Sequence, residues 1–303
     1  MRVTPELVKA LRERTAAGFM ECKRALEKAA GDLDRAAQIL REEGVAKADK
    51  KVGRVAGEGV VAAWLSPAGD AGALVELNCE TDFVARNDTF AALAADLAEQ
   101  VCLEGAPPDT AALLDRPARK GQPGQTVGQR LKEVIAALGE NIVLRRAERL
   151  AVGPGAPGTL LTSYIHAGGK IGVLVELAAD SAAAARHEQA VRIGRDMAMQ
   201  VAAMSPRWVR REEVPADDLE RERAVLRAQP DLQGKPPAVQ AKIVEGRLGK
   251  FYGEACLLEQ PFIKDEARKA TVAEALKEAA RAVGGKLEVR RFVRFRVGET
   301  PTD

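Results

Sequence analysis

The sequence GALVEL at residues 72–77 recurs as GVLVEL at residues 172–177, an offset of 100. Each hexapeptide is a short apolar run bounded by turn residues, a pattern typical of a strand buried in a sheet. The same offset pairs Gln100-Val101 with Gln200-Val201 further along the chain. A spacing that persists over this distance indicates one structural unit that is used twice.

The repeat then continues with a second offset. Leu131-Lys132-Glu133 matches Leu276-Lys277-Glu278, which lies 145 residues later. The change from 100 to 145 means that the second copy has gained 45 residues, and these fall between Val201 and Thr271. Apart from this insertion, the two copies are expected to fold alike.

Each copy shows strand, turn, strand and helix patterns, followed later by a helix and a closing strand. The first hairpin is predicted to turn at residues 67–70 and the second at residues 168–170. The closing strands, residues 141–152 and 286–297, place apolar residues largely at alternate positions, as half-buried antiparallel strands do. The predicted fold class is α+β, with two duplicated subdomains that are each a three-stranded antiparallel sheet with helices.

The inserted segment, at about residues 207–257, predicts a helical hairpin. Two amphipathic stretches, residues 218–229 and 238–255, flank a Pro/Gly-rich break. A narrow apolar seam with charged flanks fits a projecting coiled-coil arm or a dimer surface, so the chain could dimerise through it. It fits equally a pair of helices that pack within their own domain, and the sequence leaves both interpretations open.

A compact three-helix bundle, which resembles the ubiquitin-associated (UBA) type, is predicted before the first copy. Thr4-Pro5-Glu6 is a helix start, a second helix spans residues 19–30, and Asp32 caps a third helix that should end before Gly44. The lysine-rich stretch of residues 47–54 is interpreted as an exposed linker. The predicted domains are the bundle and linker (1–54), the two core subdomains (55–153 and 154–298) and a tail (299–303).

Two apolar side chains of this bundle, Phe19 and Met20, follow a glycine at a helix corner. They are either core residues or, together with the nearby Arg12, a small docking patch. The sequence favours neither interpretation.

The composition excludes several classes of function. The 303 residues carry 46 basic and 44 acidic side chains, and only 4% are aromatic, so a nucleic-acid binder with a basic patch or a stacking platform is not expected. Four scattered cysteines without a C-x-x-C pair indicate buried free thiols in a reducing compartment, with no metal or cofactor site. There is no signal peptide, membrane span or catalytic motif, so we expect a cytoplasmic protein that is not an enzyme.

The polar connection Thr81-Asp82-Phe83-Val84 follows the first buried strand. Where the first copy has Asp82-Phe83-Val84, the second copy has Ala182-Ala183-Ala184 at the equivalent positions. Because the scaffold tolerates alanines there, the fold does not itself require an acid and a phenyl ring. This comparison favours Asp82 and Phe83 as residues displayed to a partner, with packing specific to the first copy as the alternative.

Several of these motifs resemble bacterial translation elongation factor Ts. LRERTAAGFMECKRAL at residues 11–26 is similar to the N-terminal signature of that family, and TDFV at residues 81–84 to its second signature. Residues 164–166 leading into residues 171–175 resemble a third, as does VEGR at residues 244–247 on the hairpin. The resemblance covers essentially the whole chain.

This resemblance implies guanine nucleotide exchange on elongation factor Tu, a GTPase, with no covalent chemistry. The family binds the GTPase with GDP in place, promotes GDP release and holds the empty state until GTP enters. By resemblance, Phe83 enters an apolar pocket between two helices of the GTPase, and Asp82, flanked by Thr81 and Val84, lies close to its Mg²⁺.

The resemblance also implies further partner contacts. Arg12, Phe19 and Met20 of the helical module would dock on the nucleotide-binding domain, and His166 would contact another domain of the GTPase. Many members of the family continue beyond the closing strand with a helical segment, whereas this sequence stops after residues 297–303. We expect the contacts of that segment to be absent or made by other surfaces.

Three rival functions have weaker sequence support. A ubiquitin-binding module would use residues 18–20, and a nucleic-acid surface would use the arginines at 290–291 and 294–296. Fold analogy is weak support for the first. Alternating arginines on a strand are more often a solvated face than a binding surface. An independent hydrolase or transferase lacks any recognisable motif.

Overall fold

In a computed structural model, which describes residues 3–300 except 16, 154, 155, 157 and 268, the strands form two three-stranded antiparallel sheets. The first contains β1 (Glu58–Leu65), β2 (Ala71–Cys79) and β3 (Val143–Ala151), and the second β4 (Thr159–His166), β5 (Ile171–Ala179) and β6 (Leu287–Arg296). The repeated hexapeptides lie in β2 and β5, which are the central strands and are buried along almost their whole length. The predicted fold class is confirmed.

The chain divides into two compact units. Unit 1 comprises residues 1–62, 75–148 and 296–303, and unit 2 comprises residues 63–74 and 149–295. Ala16, within the motif of residues 11–26, and the end of the predicted tail, residues 301–303, lie outside the described residues. The domain limits read from the repeat stay a prediction.

The helical module of unit 1 contains α1 (Pro5–Thr15), α2 (Phe19–Lys28) and α3 (Leu33–Asp49). Its apolar core includes Leu11, Cys22 and Leu26, which are fully buried. The Asp32 side chain caps α3, as predicted, by accepting hydrogen bonds from two backbone N–H groups of the first turn. Three short amphipathic helices thus bury one face each against the others.

The predicted end of α3 at Gly44 is wrong. The helix continues to Asp49 because Gly44 faces Ala136 of α7 (Val127–Leu138), where an added Cβ would stand 3.2 Å from the alanine methyl carbon. Asp49 is also ion-paired with Lys132 of α7, at 2.8 Å. This packing outweighs the low helix propensity of glycine. The first part of the stretch predicted as an exposed linker is therefore helix fixed to the core.

The remaining helices follow the predicted repeat. Unit 1 contains α4 (Asp82–Ala85), α5 (Asp88–Glu104), α6 (Thr110–Leu114) and α7, and unit 2 contains α8 (Ala182–Arg186), α9 (Glu188–Met204), α10 (Ala216–Arg227), α11 (Pro237–Ala255) and α12 (Val272–Val283). The helices α7 and α12 begin with the same capping box, built on Thr126 and Thr271. Both end at a left-handed glycine, Gly139 or Gly284.

Equivalent buried amides in the two copies make equivalent hydrogen bonds. The side-chain amide of Gln100 donates to the Pro117 carbonyl oxygen at 2.8 Å, and that of Gln200 donates to the Pro261 carbonyl oxygen at 3.2 Å. Each amide satisfies a loop backbone that the fold buries. The duplication therefore extends from the strands to individual polar contacts.

Each central strand also carries a buried glutamate paired with an arginine of the closing strand. Glu76 accepts from Arg146 Nε at 2.7 Å, and Glu176 accepts from Arg291 Nε at 2.6 Å. Arg291, expected on a solvated face, is about half exposed and also makes this pair, which no sequence pattern predicted.

The predicted helical hairpin is confirmed. The helices α10 and α11 pack through a small apolar cluster of Leu226, Leu232, Val244 and Leu248. Arg247 of α11 binds the carboxylate of Asp231 in the connection between the helices. The seam is filled from within the hairpin, and dimerisation through it stays a prediction. No helix of the described residues is both long and apolar enough to cross a bilayer.

Candidate partner-binding site

The residues Thr81-Asp82-Phe83-Val84 form the N-cap and first residues of the short helix α4. Thr81 has an extended backbone, and its hydroxyl oxygen accepts a hydrogen bond from the Val84 N–H at 3.4 Å. The same hydroxyl donates to Glu140 Oε1 at 2.6 Å. Capping by threonine starts the helix directly after the strand and so fixes the direction of the next side chains.

Two glutamates lock this helix start to the loop that follows α7. Glu140 Oε2 accepts from the backbone N–H groups of Glu80 and Thr81 at 3.1 and 3.0 Å. In return, Glu80 Oε1 accepts from the Asn141 N–H at 2.7 Å. We call Glu80, Thr81, Glu140 and Asn141 the loop clamp. Its halves lie about sixty residues apart in sequence, and no sequence signal pointed to Glu140 or Asn141.

The Phe83 side chain projects into solvent. It is 83% exposed, whereas Ala85 in the same helix is 6% exposed and Val84 is half-buried. The alternative that Phe83 packs in the core of its own copy is therefore wrong. A phenyl ring held out on a fixed helix is an apolar contact surface without a partner inside the described chain.

Asp82 forms an ion pair with Arg86 across one turn of the helix, at 3.0 Å. Arg86 is exposed and the Asp82 side chain is about half exposed. Exposed pairs of this kind contribute about 0.2–1 kcal/mol, so Asp82 can exchange Arg86 for another positive group at small cost.

The second copy keeps the scaffold but not the displayed residues. Ser181 caps α8 through a hydrogen bond from the Ala184 N–H at 3.1 Å, and Asp180 Oδ2 accepts from the Lys286 N–H at 2.7 Å. These contacts match Thr81 with Val84, and Glu80 with Asn141. Gly285 occupies the position of Glu140, so the carboxylate that binds two backbone amides is specific to the first copy.

The predicted patch of the helical module lies at the surface. Phe19 and Met20, the first residues of α2, are 51% and 60% exposed, and Arg12 of α1 is also exposed. Glu21 accepts a hydrogen bond from the Gly18 N–H at 3.2 Å, which fixes the helix start. The alternative that these apolar residues belong to the core is wrong. Docking through them stays a prediction.

His166 lies in unit 2, at the end of β4, and is exposed. Its Nδ1 lies 2.9 Å from the Tyr164 hydroxyl, and the two rings are 5.8 Å apart. The alternation of a strand places these residues on one face. They form a small polar and aromatic surface whose partner contact stays a prediction.

The four cysteines are free and buried, as predicted. Within the part of the chain that the structure describes, no His, Cys, Asp or Glu residues are grouped in a way that could hold a metal ion. What the described arrangement offers at the candidate site is contact chemistry: an apolar ring, an adjacent acid and a rigid support.

The fold and the site define a duplicated α+β protein with an N-terminal helical module and one loop, specific to the first copy, that exposes an aromatic side chain. The family model described as "Elongation factor TS" matches residues 80–299. The chain belongs to the elongation factor Ts family.

Three curated relatives share this similarity over at least 92% of their own length. The elongation factor Ts of Nitratidesulfovibrio vulgaris (strain DP4) is 44% identical over 99% of this chain and 97% of its own. That of Aquifex aeolicus (strain VF5) is 44% identical over 98% of this chain and 99% of its own. That of Symbiobacterium thermophilum is 43% identical over 98% of this chain and 92% of its own.

Proposed function

We propose that this chain is a guanine nucleotide exchange factor for elongation factor Tu. It binds the GDP-bound GTPase, promotes GDP release and stabilises the nucleotide-free state until GTP binds. Membership of the elongation factor Ts family supports the class of activity. The observation that carries the assignment of the site is the exposed Phe83 ring on a clamped helix.

Phe83 acts as the anchor of the interaction. An aromatic side chain that enters a partner's pocket is the kind of residue that dominates binding energy. The loop clamp holds α4 before the partner arrives, so little conformational entropy is lost when the ring docks. The free energy of docking is then available to shift the helices of the GTPase that line the pocket.

Asp82 acts next to this anchor, near the metal and phosphates of the GTPase. Mg²⁺ requires nearly ideal octahedral geometry, so small shifts of the elements that support it weaken its hold on GDP. Asp82 is free to leave Arg86 for contacts in the complex because their pair is exposed. Coupling is reciprocal: an exchange factor that lowers the affinity for GDP has its own affinity lowered by GDP to the same degree.

The other predicted surfaces extend the interface. Phe19, Met20 and Arg12 dock the helical module on the nucleotide-binding domain, and His166 of unit 2 contacts a second domain of the GTPase. The exposed state of all four side chains supports this proposal.

Release of a fluorescent GDP analogue from the cognate elongation factor Tu tests the function. The wild-type chain should accelerate release, and Phe83→Ala should reduce the stimulation by about thirtyfold, the equivalent of an anchor that contributes about 2 kcal/mol. Asp82→Ala should reduce it as well. Leu103→Ala, which truncates another exposed apolar side chain of unit 1, is the matched control and should stimulate like wild type.

The three variants should stay close to the wild type in thermal stability, because Phe83 and Leu103 are exposed and the half-exposed Asp82 makes only a surface ion pair. Equal stimulation by wild type and Phe83→Ala would exclude the site. No stimulation by the wild-type chain would exclude the function.

A further inference from the structure

Two equivalent aspartates, Asp96 and Asp196, have different surroundings in the two copies. In unit 1, Asp96 of α5 binds the guanidinium of Arg130 through one carboxylate oxygen. Its other oxygen accepts from Lys120 Nζ at 2.9 Å. Burial raises the pKa of Asp96, but the hydrogen bonds and charges of Arg130 and Lys120 outweigh it, so the net pKa is lowered.

The second copy has an alanine in place of Arg130. Asp196 of α9 stands at the position of Asp96, and Ala275 of α12 stands at the position of Arg130, with the offsets of 100 and 145. Among the described residues, none hydrogen-bonds or ion-pairs with the Asp196 carboxylate. Burial raises the pKa of this group, and the charges of Lys264, Arg192 and Arg195 offset only part of that effect.

The second copy has an open cavity at this place. Its volume is about 640 Å³, and Asp196 and Ala275 both line it. The loop that borders it is built like its counterpart in unit 1, since the Ile263 N–H donates to Gln200 Oε1 at 2.9 Å as the Arg119 N–H donates to Gln100 Oε1 at 3.2 Å. The two loops therefore make the same contact with their glutamine, although the loop of unit 2 is one residue longer between its bridged ends, Pro261 and Thr271, than that between Pro117 and Thr126. Among the described residues, no side chain takes the place that Arg130 has beside Asp96.

The lining favours a cation. Two cationic side chains, Arg192 and Lys264, line the cavity. Four carboxylates line it as well: Asp196, Asp265, Glu274 and Glu278. Asp265 and Glu274 already bind backbone N–H groups of the loop and of the start of α12. Asp196 and Glu278 remain for a ligand.

We propose that this cavity of unit 2 is a guanidinium-binding site. Asp196 accepts hydrogen bonds from the planar cation, in the way that Asp96 accepts them from Arg130 in unit 1. The ligand is an arginine side chain of a partner polypeptide or a free arginine. The site lies outside the residues assigned to nucleotide exchange, and the proposal does not depend on that function.

Isothermal titration of the full-length chain tests the site with three probes. N-acetyl-L-arginine N-methylamide mimics a side chain in a polypeptide, L-arginine is the free amino acid, and N-acetyl-L-citrulline N-methylamide is a neutral match. The wild type should bind an arginine probe saturably, with a Kd on the order of 1 mM, and should not bind the citrulline probe. Binding of the blocked arginine identifies a polypeptide as the source. Binding of free arginine alone identifies the amino acid.

Two variants test whether the arginine probe binds in this cavity, and a third is the control. Asp196→Asn should weaken it at least tenfold, and Ala275→Arg, which restores the residue of unit 1, should abolish it. Asp217→Asn removes an exposed carboxylate of α10 that does not line the cavity and should bind like wild type. A thermal melt of each variant checks that it is folded.

Three results would overturn the proposal. The first is no binding of either arginine probe to the wild type, and the second is equal binding of the citrulline probe. Arg268, on the same loop, lies outside the described residues. The third result is markedly tighter binding to Arg268→Ala than to the wild type, because the chain's own arginine would then be the occupant.

Discussion

At the scale of single residues, each sheet contains a buried carboxylate, Glu76 or Glu176, and burying a charge costs free energy unless the charge is paired and hydrogen-bonded. Glu76 is completely buried, and it accepts hydrogen bonds from Arg146 Nε, from the Gly298 N–H at 2.9 Å and from Asn78 Nδ2 at 3.2 Å. Its charge is tolerated only because these donors replace water. The group ties β2 to β3 and to the chain segment after β6.

Removal of the arginine should therefore be costly. We expect Arg146→Met to lower the free energy of unfolding by about 3–5 kcal/mol, because it leaves the Glu76 charge buried and without its closest ion partner. Chemical denaturation would measure the change. Arg145→Met is the matched control, since the Arg145 guanidinium lies 4.0 Å from Glu76 and is more exposed. It should cost less than about 1 kcal/mol.

A double variant separates charge from packing. Glu76→Gln combined with Arg146→Met removes both charges, so it should recover part of the stability lost in Arg146→Met. A double variant less stable than Arg146→Met would show that the glutamate acts mainly through its other hydrogen bonds.

At the scale of elements, α4 is too short to be stable by its own hydrogen bonds. It has four residues, and an isolated helix of that length does not form in water. The loop clamp supplies the missing constraint through Glu140, which binds two amides and the Thr81 hydroxyl. The position of the Phe83 ring thus depends on a glutamate that does not belong to the displayed motif.

Glu140→Ala tests this dependence without changing the ring. Stimulated GDP release should fall by about tenfold, because hydrogen bonds to a charged group are worth about 1.5–3 kcal/mol and the helix loses part of its order. Amide hydrogen exchange should become faster at Glu80 and Thr81. Glu148→Ala, at an exposed position of β3, is the control for both measurements. Faster exchange with undiminished GDP release would show that the clamp is not needed for activity.

The sequence predicted the elements better than their contacts. The repeat identified both sheets and the hairpin, and the alanines at 182–184 correctly indicated that Phe83 is not required by the core. The helix end predicted at Gly44 was wrong because the contact of Gly44 with Ala136 depends on a helix that is distant in sequence. Glu140 was missed for the same reason: its partners are near only in the fold. Local patterns carry the periodicity of burial, whereas side-chain pairing across the chain leaves no local signal.

At the scale of the whole molecule, each unit contains at least one buried cysteine, so thiol reactivity can be used to test whether each unit is closed. Cys22, Cys79 and Cys102 are buried in unit 1, and Cys256 is buried in unit 2. Burial raises the pKa of the Cys256 thiol to about 11, with the charge of Glu259 adding to the effect. Because the thiolate is the reactive form, this thiol is protected both by its location and by its protonation.

We expect the native chain at pH 8 to react slowly with a chromophoric disulfide reagent, and the denatured chain to show four thiols at once. The folded pKa of Cys256 is above that of the unfolded chain, so the folded state holds this proton more tightly. Its contribution to stability is present below the unfolded pKa, near 9, and is lost as pH rises toward 11. Stability in Cys256→Ala should accordingly decline less between pH 9 and 11 than in the wild type. Rapid reaction of one or more thiols in the native chain at pH 8 would contradict the buried placement, and single cysteine-to-alanine variants would show which unit opens.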